Sequence, residues 1–356
     1  MPNGAQNRNA RAQEKLARYQ KILCPEFPPF LKKYLSLKIL ERLKGIGLLC
    51  GTDWTPLFHN RFYYSRYDHS LNCALIVWNW TRDKKMTLAA LLHDVSTPAF
   101  SHVIDFKNGD ALTQESTEDK NAAMIRSDAE LAAALAQDGL TAADVDDYHK
   151  YSICDNEVPQ LSADRLEYMF PSGAALEGWF SLRAVKRFYA DLFVAKDERG
   201  RDEFSFKTKK IALDYFRRIL KIGYFLQRNK DKIAMELLAR VVDKAIACGA
   251  LHEDELWLLS EREIIGRWDA LLRKADEARC DFLRLYKTYR TMKKVRGSAA
   301  PLDGYFCVQL AVKRRWINPL VGSRRICDVS PRAQKERDRF LAYNDTPYAC
   351  VKLAQL

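Results

Sequence analysis

Hydrophobic runs long enough to cross a membrane are missing from this sequence of 356 residues. No apolar stretch approaches the roughly 18 residues that a membrane helix requires. The start of the chain, from Met1 to Glu14, is polar and basic and lacks the apolar segment of a secretory signal. The sequence therefore predicts a cytoplasmic protein with no membrane among its partners.

Paired cysteines are also missing, because the nine cysteines are scattered singly and no C-x-x-C pair occurs. This spacing argues against a zinc ribbon, and the odd number argues against a complete set of intrachain disulfides. We therefore expect reduced thiols, most of them buried. Cys73 is expected to be a small core residue.

The composition is that of a folded, basic protein. Hydrophobic residues make up 47% of the chain and aromatic residues 11%, which is typical of a globular core and not of a disordered chain. The formal net charge of +12 favours polyanionic partners such as nucleotides or nucleic acid. A solvated basic surface would give the same charge, so charge restricts the substrate class without identifying it.

Apolar residues recur at helical spacing through most of the chain, which predicts a mainly α fold. The pattern predicts helices at 31–49, 67–81 and 86–94. A charged stretch at 196–210 is interpreted as a turn between two regions. Beyond residue 300, segments rich in β-forming residues and broken by proline and glycine predict two or three short C-terminal strands.

These patterns divide the chain into three parts. Residues 1–30 are interpreted as an N-terminal arm, residues 31–200 as a helical core and residues 201–356 as a C-terminal helical region with short strands. The chemistry-bearing residues described next lie in the second part.

Three of the six histidines fall within one short window of the chain. His69 lies in the predicted helix 67–81, and the His93-Asp94 pair lies at the end of the next helix. Two antiparallel helices joined by a short turn can bring such groups face to face. A His-Asp pair offers one neutral nitrogen and one anionic oxygen, a mixture that divalent transition metals bind well. A lone His-Asp pair means little, so the prediction of a metal site depends on the joint pattern.

Two further pairs have the spacing of a catalytic site. Arg66 precedes His69 by three residues and would share its helix face, where an arginine can hold a phosphate in a bidentate grip. His102 and Asp105 are also three residues apart, and such a couple can relay a proton or orient an attacking water.

The motifs together resemble those of a known superfamily. They are R-Y-D-H-S at 66–70, L-L-H-D-V-S-T-P-A-F-S-H-V-I-D at 91–105 and D-R-L-E-Y at 164–168. The chain is similar, over about residues 35–172, to the HD-domain metal-dependent phosphohydrolases, and within them to the deoxynucleoside triphosphate triphosphohydrolases. The resemblance implies an HD-domain helical bundle, a homo-oligomer and a nucleotide substrate.

The resemblance also implies a cofactor and a set of site residues. The cofactor would be one divalent metal ion, with Mn, Fe, Zn, Ni and Mg left open. The residues are the metal ligands His69, His93, Asp94 and Asp164 and the catalytic residues Arg66, His102 and Asp105. From the chemistry of their side chains we expect the substrate-binding residues to be Arg66, Gln114, Arg165 and Tyr168. Of the last group, the arginines would neutralise phosphate charge, Gln114 would hydrogen-bond a phosphate oxygen, and Tyr168 would pack against a sugar or base.

The chain departs from the family pattern at three informative positions. Thr97 and Gln114 stand where the family has histidines, and Ser172 stands where the family has an aspartate that reads the sugar 3′-hydroxyl. The metal-binding set is complete, whereas the sets that read the sugar and handle the triphosphate are not.

Three functions are compatible with these residues. The first is a phosphohydrolase that acts on a nucleotide, of the triphosphohydrolase type or a relative. The second is an HD-type nuclease or nucleic-acid binder, supported by the basic residues Lys207, Lys209, Lys210, Arg314 and Arg315. The third, motivated by the two missing histidines, is a protein that binds a nucleotide as a signal without hydrolysing it.

Overall fold

The computed structural model describes residues 3–117, 119–274 and 280–356. This part of the chain is mainly helical with a few short strands, as the sequence predicts, and the strands form two small sheets. None of its helices is both long and apolar enough to span a bilayer.

The helices are α1 (Asn3–Leu23), α2 (Leu31–Leu35), α3 (Lys38–Glu41), α4 (Arg66–Thr81), α5 (Lys84–Leu92), α6 (Val103–Lys107), α7 (Lys120–Ser127), α8 (Ala129–Gln137), α9 (Ala163–Leu176), α10 (Leu182–Ala190), α11 (Lys209–Leu226), α12 (Asn229–Ala247), α13 (Glu255–Leu258), α14 (Glu261–Lys274), α15 (Cys280–Thr291), α16 (Ile326–Val329) and α17 (Pro331–Leu341). The strands are β1 (Leu192–Lys196), β2 (Asp202–Phe206), β3 (Arg296–Ser298), β4 (Tyr305–Val308), β5 (Leu320–Val321), β6 (Arg324–Arg325) and β7 (Tyr348–Lys352). Short 3-10 turns span Arg42–Gly45, Thr52–Trp54, Ala142–Asp144 and Tyr148–Lys150.

Helices α4 and α5 form the antiparallel pair that the histidine spacing predicts. A capping box starts α4, in which Ser65 and Asp68 each accept a hydrogen bond from the backbone N–H of the other. The carboxylate of Asp83 accepts the N–H of Met86 and starts α5 in the same way. Between them Arg82 adopts a left-handed conformation, with φ of 55°, which ends α4 and reverses the chain.

The prediction of a single helix at 31–49 is wrong. The segment forms α2, α3 and a 3-10 turn, because Leu37 has an extended backbone with ψ of 139°. Its apolar residues are buried nonetheless, including Leu31, Leu40 and Leu43. The helical spacing therefore correctly indicated which residues are buried. It did not show that they lie on two short helices and a turn and not on one long helix.

Helices from distant parts of the chain surround the α4–α5 pair. Helix α9 packs against α4 and α11, and α12 packs against α6, α15 and β7. Side chains from these helices merge into one continuous buried core. As a result, residues 66–105 and residues 222–235 face the same interior space.

The strands form two sheets with the orders β1-β2-β5-β6 and β3-β7-β4. Strands β4, β5 and β6 lie within the C-terminal segments predicted to be extended. The predicted charged turn at 196–210 is instead the tip of a β1–β2 hairpin that continues into β2. Phe204 and Phe206 alternate along β2 and are fully buried, a signal that the surrounding charged residues obscured.

The expectation that all nine cysteines are reduced is wrong for two of them. Cys307 and Cys350 are directly opposite each other in the β4–β7 register and form a disulfide. They are separated by 43 residues in sequence, so their pairing depends on a strand contact that residue spacing does not show. Cys73 is a buried thiol, as expected.

Candidate metal centre

Four side chains expected to bind metal converge at one point. Helix α4 contributes His69, the end of α5 contributes His93 and Asp94, and the first turn of α9 contributes Asp164. His69 Nε2 lies 3.2 Å from His93 Nε2 and 3.0 Å from Asp164 Oδ1. His93 Nε2 lies 3.6 Å from the same Asp164 oxygen. Asp94 Oδ2 lies 3.8 Å from His69 Nε2 and 3.6 Å from His93 Nε2.

These separations fit one divalent ion. Bonds of about 2.1 Å to a transition metal place neighbouring ligand atoms about 3.0 Å apart in an octahedral site and about 3.4 Å apart in a tetrahedral one. The five observed separations run from 3.0 to 3.8 Å. Two imidazole nitrogens and two carboxylate oxygens are also the donor types that such ions prefer.

Hydrogen bonds behind the histidines aim both Nε2 atoms at this point. His69 Nδ1 lies 2.5 Å from Glu167 Oε2, and His93 Nδ1 lies 2.7 Å from the carbonyl oxygen of Ala90. Each of these partners accepts the Nδ1 proton, which leaves the Nε2 lone pair free to bind metal.

Glu167 is a residue of the candidate site that sequence reasoning missed. Its side chain is fully buried and also accepts hydrogen bonds from the hydroxyls of Tyr64, at 2.6 Å, and Tyr19, at 3.2 Å. The residue lies one turn after Asp164 within the quoted D-R-L-E-Y motif. Because it lies on the same helix face as Asp164, a predicted metal ligand, the sequence contained a signal that could have identified it.

The electrostatics of the cluster favour a cation. Burial lowers the pKa of His69, but Cys73 and the hydrogen bonds to Asp164 and Glu167 outweigh this effect, so the pKa lies well above its usual value. Burial raises the pKa of Asp164, but both histidines act in the opposite direction and hold it well below its usual value. His69 therefore keeps a second proton next to the ionised carboxylate of Asp164. A metal ion can bind in place of that proton, because it supplies the same positive charge to the carboxylates.

Cys73 lies against the cluster, and its Sγ lies within 4.8 Å of ligand atoms of His69, His93 and Asp164. Its Sγ is 3.7 Å from Nδ1 and 3.8 Å from Nε2 of His69. Nearly equal distances to both nitrogens place the sulfur beside the imidazole ring, and burial raises the pKa of the thiol against the opposing effect of His69. This geometry agrees with the prediction of a small core residue.

Arg66 is placed next to a predicted metal ligand. Its Nη1 donates to Asp94 Oδ2 at 2.9 Å, and its Nε donates to Ser101 Oγ at 3.2 Å. Burial raises the pKa of Asp94, whereas Arg66 and the two histidines lower it to well below its usual range. The other Asp94 oxygen accepts a hydrogen bond from Thr97 Oγ1 at 2.8 Å. Thr97, at a family histidine position, thus orients Asp94.

His102 and Asp105 form the couple that their spacing predicts. His102 Nδ1 lies 2.9 Å from Asp105 Oδ2, and Asp105 Oδ1 accepts a hydrogen bond from Ser116 Oγ at 2.6 Å. Burial lowers the pKa of His102 to about 4; Arg315 and Arg66 add to this effect and Asp105 opposes it. His102 is therefore neutral at pH 7, with Nδ1–H held by Asp105 and Nε2 free.

The predicted substrate-binding residues divide into two groups. Gln114 and Tyr168 line a pocket next to the cluster, together with Arg66, His69, His102 and Asp164. Arg165 is not among the described residues that line this pocket. Its guanidinium donates to Asn156 and lies 3.3 Å from Asp155, so it fastens the preceding loop, and this geometry does not support a substrate contact.

The pocket also contains residues that the motifs did not indicate. Asp231, in the first turn of α12, and Lys313 and Arg315, between β4 and β5, line it beside apolar side chains from α11 and α12. They come from the C-terminal half of the chain, and no local pattern connects them with the histidine motifs.

Two of the basic residues proposed as a nucleic-acid arm are engaged within the protein. Arg314 Nη1 donates to the carbonyl oxygens of Phe340 at 3.3 Å and Tyr343 at 3.0 Å. Arg315 lines the pocket. Lys209 is exposed, and its Nζ donates to the carbonyl of Val329.

Comparison with known proteins gives distant relatives along most of the chain, and no family model matches. The chain is 23% identical over 240 residues to the uncharacterized protein YdhJ of Bacillus subtilis, which covers 66% of this chain and 70% of YdhJ. It is 23% identical over 313 residues to the metal-dependent phosphohydrolase cns2 of Cordyceps militaris, which covers 86% of this chain and 82% of cns2.

Two solved structures share the fold. A phosphohydrolase from Bacteroides thetaiotaomicron superposes with a TM-score of 0.62 at 15% identity, covering 93% of this chain and 97% of the other. A hypothetical protein from Aquifex aeolicus superposes with a TM-score of 0.56 at 16% identity, covering 92% and 93%. At these identities the likeness shows a common fold along almost the whole chain.

Proposed function

We propose that this chain is a metal-dependent phosphohydrolase that acts on a nucleotide and is built on an HD-type helical bundle. The observation that carries the proposal is the convergence of His69, His93, Asp94 and Asp164 at separations of 3.0 to 3.8 Å. The similarity to a relative named as a metal-dependent phosphohydrolase supports it, and the basic net charge suits a polyanionic substrate.

The four converging residues would hold one divalent ion, with Mn, Fe, Zn, Ni and Mg as candidates. Such an ion, when bound, polarises a phosphoryl oxygen and lowers the pKa of water towards neutrality, which supplies a nucleophile. Glu167 and the carbonyl of Ala90 hold the histidines in the tautomer that binding requires.

Arg66 and His102 would act on the substrate. Arg66 donates to Asp94 and Ser101, which leaves further N–H donors of its guanidinium for phosphate oxygens. In the hydrolysis, a water oxygen bonds to phosphorus and the P–O bond to the leaving group breaks. His102, oriented by Asp105, would accept a proton from the attacking water at Nε2 and pass it to the leaving oxygen, so that the imidazole is neutral before and after the reaction. An anionic substrate beside His102 raises the pKa of its imidazole and suits it to this transfer.

The test is product analysis with a matched pair of histidine variants. The protein is incubated with Mn²⁺ or Fe²⁺ and a panel of dNTPs, NTPs and single-stranded oligonucleotides, and products are separated by anion exchange. We expect release of phosphate, pyrophosphate or triphosphate that falls to background in His93→Ala. The control is His252→Ala, which replaces an exposed histidine and should retain activity. Full activity of His93→Ala would refute this site assignment.

The products also test the finer resemblance. Nucleoside plus triphosphate would identify the triphosphohydrolase reaction, whereas phosphate or pyrophosphate would place the cut elsewhere in the substrate. Hydrolysis of the oligonucleotides alone would favour the nuclease hypothesis.

A second candidate function is a nucleotide sensor without hydrolysis. Thr97 and Gln114, at two family histidine positions, are both used in internal hydrogen bonds, to Asp94 and Arg315. Neither side chain exchanges a proton at neutral pH. A nucleotide-dependent rise in the melting temperature without turnover under either metal would favour the sensor over the enzyme.

A further inference from the structure

Arg315 reaches the pocket from a part of the chain that the motifs do not include. It lies between β4 and β5 and lines the same cavity as Arg66, His102 and Asp164. The side chain is partly buried. A positive charge from the C-terminal region is thus presented to the space next to the candidate metal centre.

Two neighbours fix the position of this guanidinium. The side-chain oxygen of Gln114 accepts a hydrogen bond from Arg315, and the Gln114 amide nitrogen donates to the carbonyl of Ala111 at 3.3 Å, which sets the orientation of the amide. The guanidinium carbon lies 5.8 Å from the centre of the Tyr168 ring. Lys313 Nζ donates to the carbonyl of Thr113 at 2.6 Å and fastens the segment to the same loop.

Among the described residues the charge of Arg315 has no carboxylate at salt-bridge distance, in contrast to Arg66, whose Nη1 lies 2.9 Å from Asp94 Oδ2. The carboxyl of Asp231 in the same pocket interacts with Arg315 from further away. Burial raises the pKa of Asp231 to about 7 against the charge of Arg315, so this carboxyl is only partly ionised at pH 7. The hydrogen bond to Gln114 uses one of its five N–H donors. A partly buried cation without an ion-pair partner favours an anionic ligand, because such a ligand offsets the cost of removing the charge from water.

We propose that Arg315 is a substrate-binding residue of this site, whose guanidinium holds phosphate oxygens of the substrate together with Arg66. The inference rests on the proposed function. Gln114 would then be a positioning residue, since it holds the arginine and cannot itself act as an acid at neutral pH. The positive charge that a family histidine would supply near position 114 comes here from a residue much later in the chain.

The test separates Arg315 from its neighbour Arg314, whose guanidinium donates to the carbonyls of Phe340 and Tyr343. With the Mn²⁺-loaded full chain, we expect Arg315→Ala to raise KM for the hydrolysed nucleotide about 10- to 100-fold, the range for loss of hydrogen bonds to a charged group. Arg315→Lys should recover only part of this loss, because lysine lacks the planar fork. Arg314→Ala also removes an internally bonded arginine and should leave KM close to that of the parent protein.

A second readout is the pH profile, which a purely structural role would not change. Arg66, Arg315 and Asp105 act on His102, and Asp164, Asp231 and Lys313 line the same pocket. Removal of the positive charge of Arg315 favours the protonated imidazole, so the acidic limb of kcat/KM should move to higher pH in Arg315→Ala. The inference would be overturned if Arg315→Ala changed neither KM nor the position of the acidic limb of the kcat/KM profile. It would also be overturned if Arg314→Ala and Arg315→Ala raised KM equally.

Failure of the proposed function is distinguishable from failure of this inference. If the parent protein hydrolyses no nucleotide, calorimetric titration of the Mn²⁺-loaded chain with a dNTP still tests Arg315. Binding that weakens about 10- to 100-fold in Arg315→Ala and not in Arg314→Ala would support the inference for a non-hydrolysing protein. Equal binding by parent and Arg315→Ala would reject it.

Discussion

Glu167 is the hydrogen-bond partner that orients His69 in the candidate metal centre. Its carboxylate is the partner of His69 Nδ1 at 2.5 Å, and the hydroxyls of Tyr64 and Tyr19 hold the carboxylate in place. Because it is fully buried, Glu167 has no freedom to turn away from the imidazole. Residues in this position tune metal sites without touching the metal.

We therefore expect Glu167→Gln to weaken Mn²⁺ binding about 10- to 100-fold, the usual effect of losing such a partner. An amide can still contact Nδ1, but it lacks the negative charge that makes the histidine a better donor. Isothermal titration calorimetry with Mn²⁺ measures the change. Glu177→Gln is the control, since Glu177 follows the same helix and is exposed. Unaltered affinity in Glu167→Gln would argue against this role.

The predictability of the site differs from one residue to another. The meeting of His69 with His93 and Asp94 could be predicted because their spacing places them on two consecutive helices, and Asp164 was proposed from the family motif. Arg315 could not be predicted, because its position depends on how the C-terminal region folds back over the pocket. Local spacing contains no information on such a contact.

Among the elements, α14 has a structural connection to the site through its first residue, Glu261. The carboxylate accepts hydrogen bonds from the backbone N–H of Gly47 at 3.0 Å, from that of Phe100 at 3.2 Å and from Trp54 Nε1 at 2.7 Å. Ser101, which follows Phe100, donates to the carbonyl of Gly47 at 3.1 Å and accepts from Arg66. The start of α14 thus holds together the two segments that support Arg66.

The buried carboxyl of Glu261 gives the stability of this arrangement a defined pH dependence. Burial raises its pKa to about 7, against the hydrogen bonds from Trp54, Gly47 and Phe100, whereas an unfolded chain has a pKa near 4.3. Between these values the folded state binds the extra proton, so this group lowers the free energy of unfolding as pH rises from about 4.3 to about 7.

We expect Glu261→Gln to destabilise the protein more at pH 5 than at pH 8. At pH 5 the parent carboxyl is protonated and carries no penalty for a buried charge, whereas at pH 8 the parent carries that penalty and the variant does not. Urea unfolding of both proteins at the two pH values gives the four free energies required. A difference between parent and variant that does not change with pH would contradict the raised pKa.

An element could be predicted when the residues that start and end it lie within its own stretch of sequence. Helices α4 and α5 have clear caps and a turn between them, and the sequence located both to within two residues. The β1–β2 hairpin was missed because charged residues at its tip dominate the composition of 196–210. The break at Leu37 was missed because the apolar spacing continues across it, and the tertiary packing, not the spacing, ended the helix.

For the whole molecule, the disulfide ties the C-terminal strand to the strand beside it. Cys307 in β4 and Cys350 in β7 are 43 residues apart in sequence, and the segment between them includes Arg315 and α17. A crosslink of this span restricts the unfolded chain and stabilises the fold by about 2 to 4 kcal/mol.

We expect Cys350→Ser to lower the free energy of unfolding by about 2 to 4 kcal/mol, measured by urea denaturation without reductant. Cys248→Ser is the control, because Cys248 is not part of a disulfide. Thiol titration in denaturant should find seven reactive thiols in the parent protein, which are the nine cysteines less the bonded pair. Nine thiols before reduction would show that the pair is not bonded.

The direction of side chains around Arg315 has a consequence for how related chains are to be compared. Lys313 and Arg315 face the loop at 111–115, while Arg314 between them faces residues 340–344, the alternation of an extended backbone. Insertion of one residue ahead of Lys313 would move Arg314 to the pocket side and keep a guanidinium there, whereas a deletion would bring Trp316 to that side. Because two arginines stand next to each other, a relative with one extra residue in this connection would still place an arginine in the pocket, whereas a relative with one residue fewer would not. Relatives should therefore be compared by the length of this connection as well as by the residue aligned with Arg315.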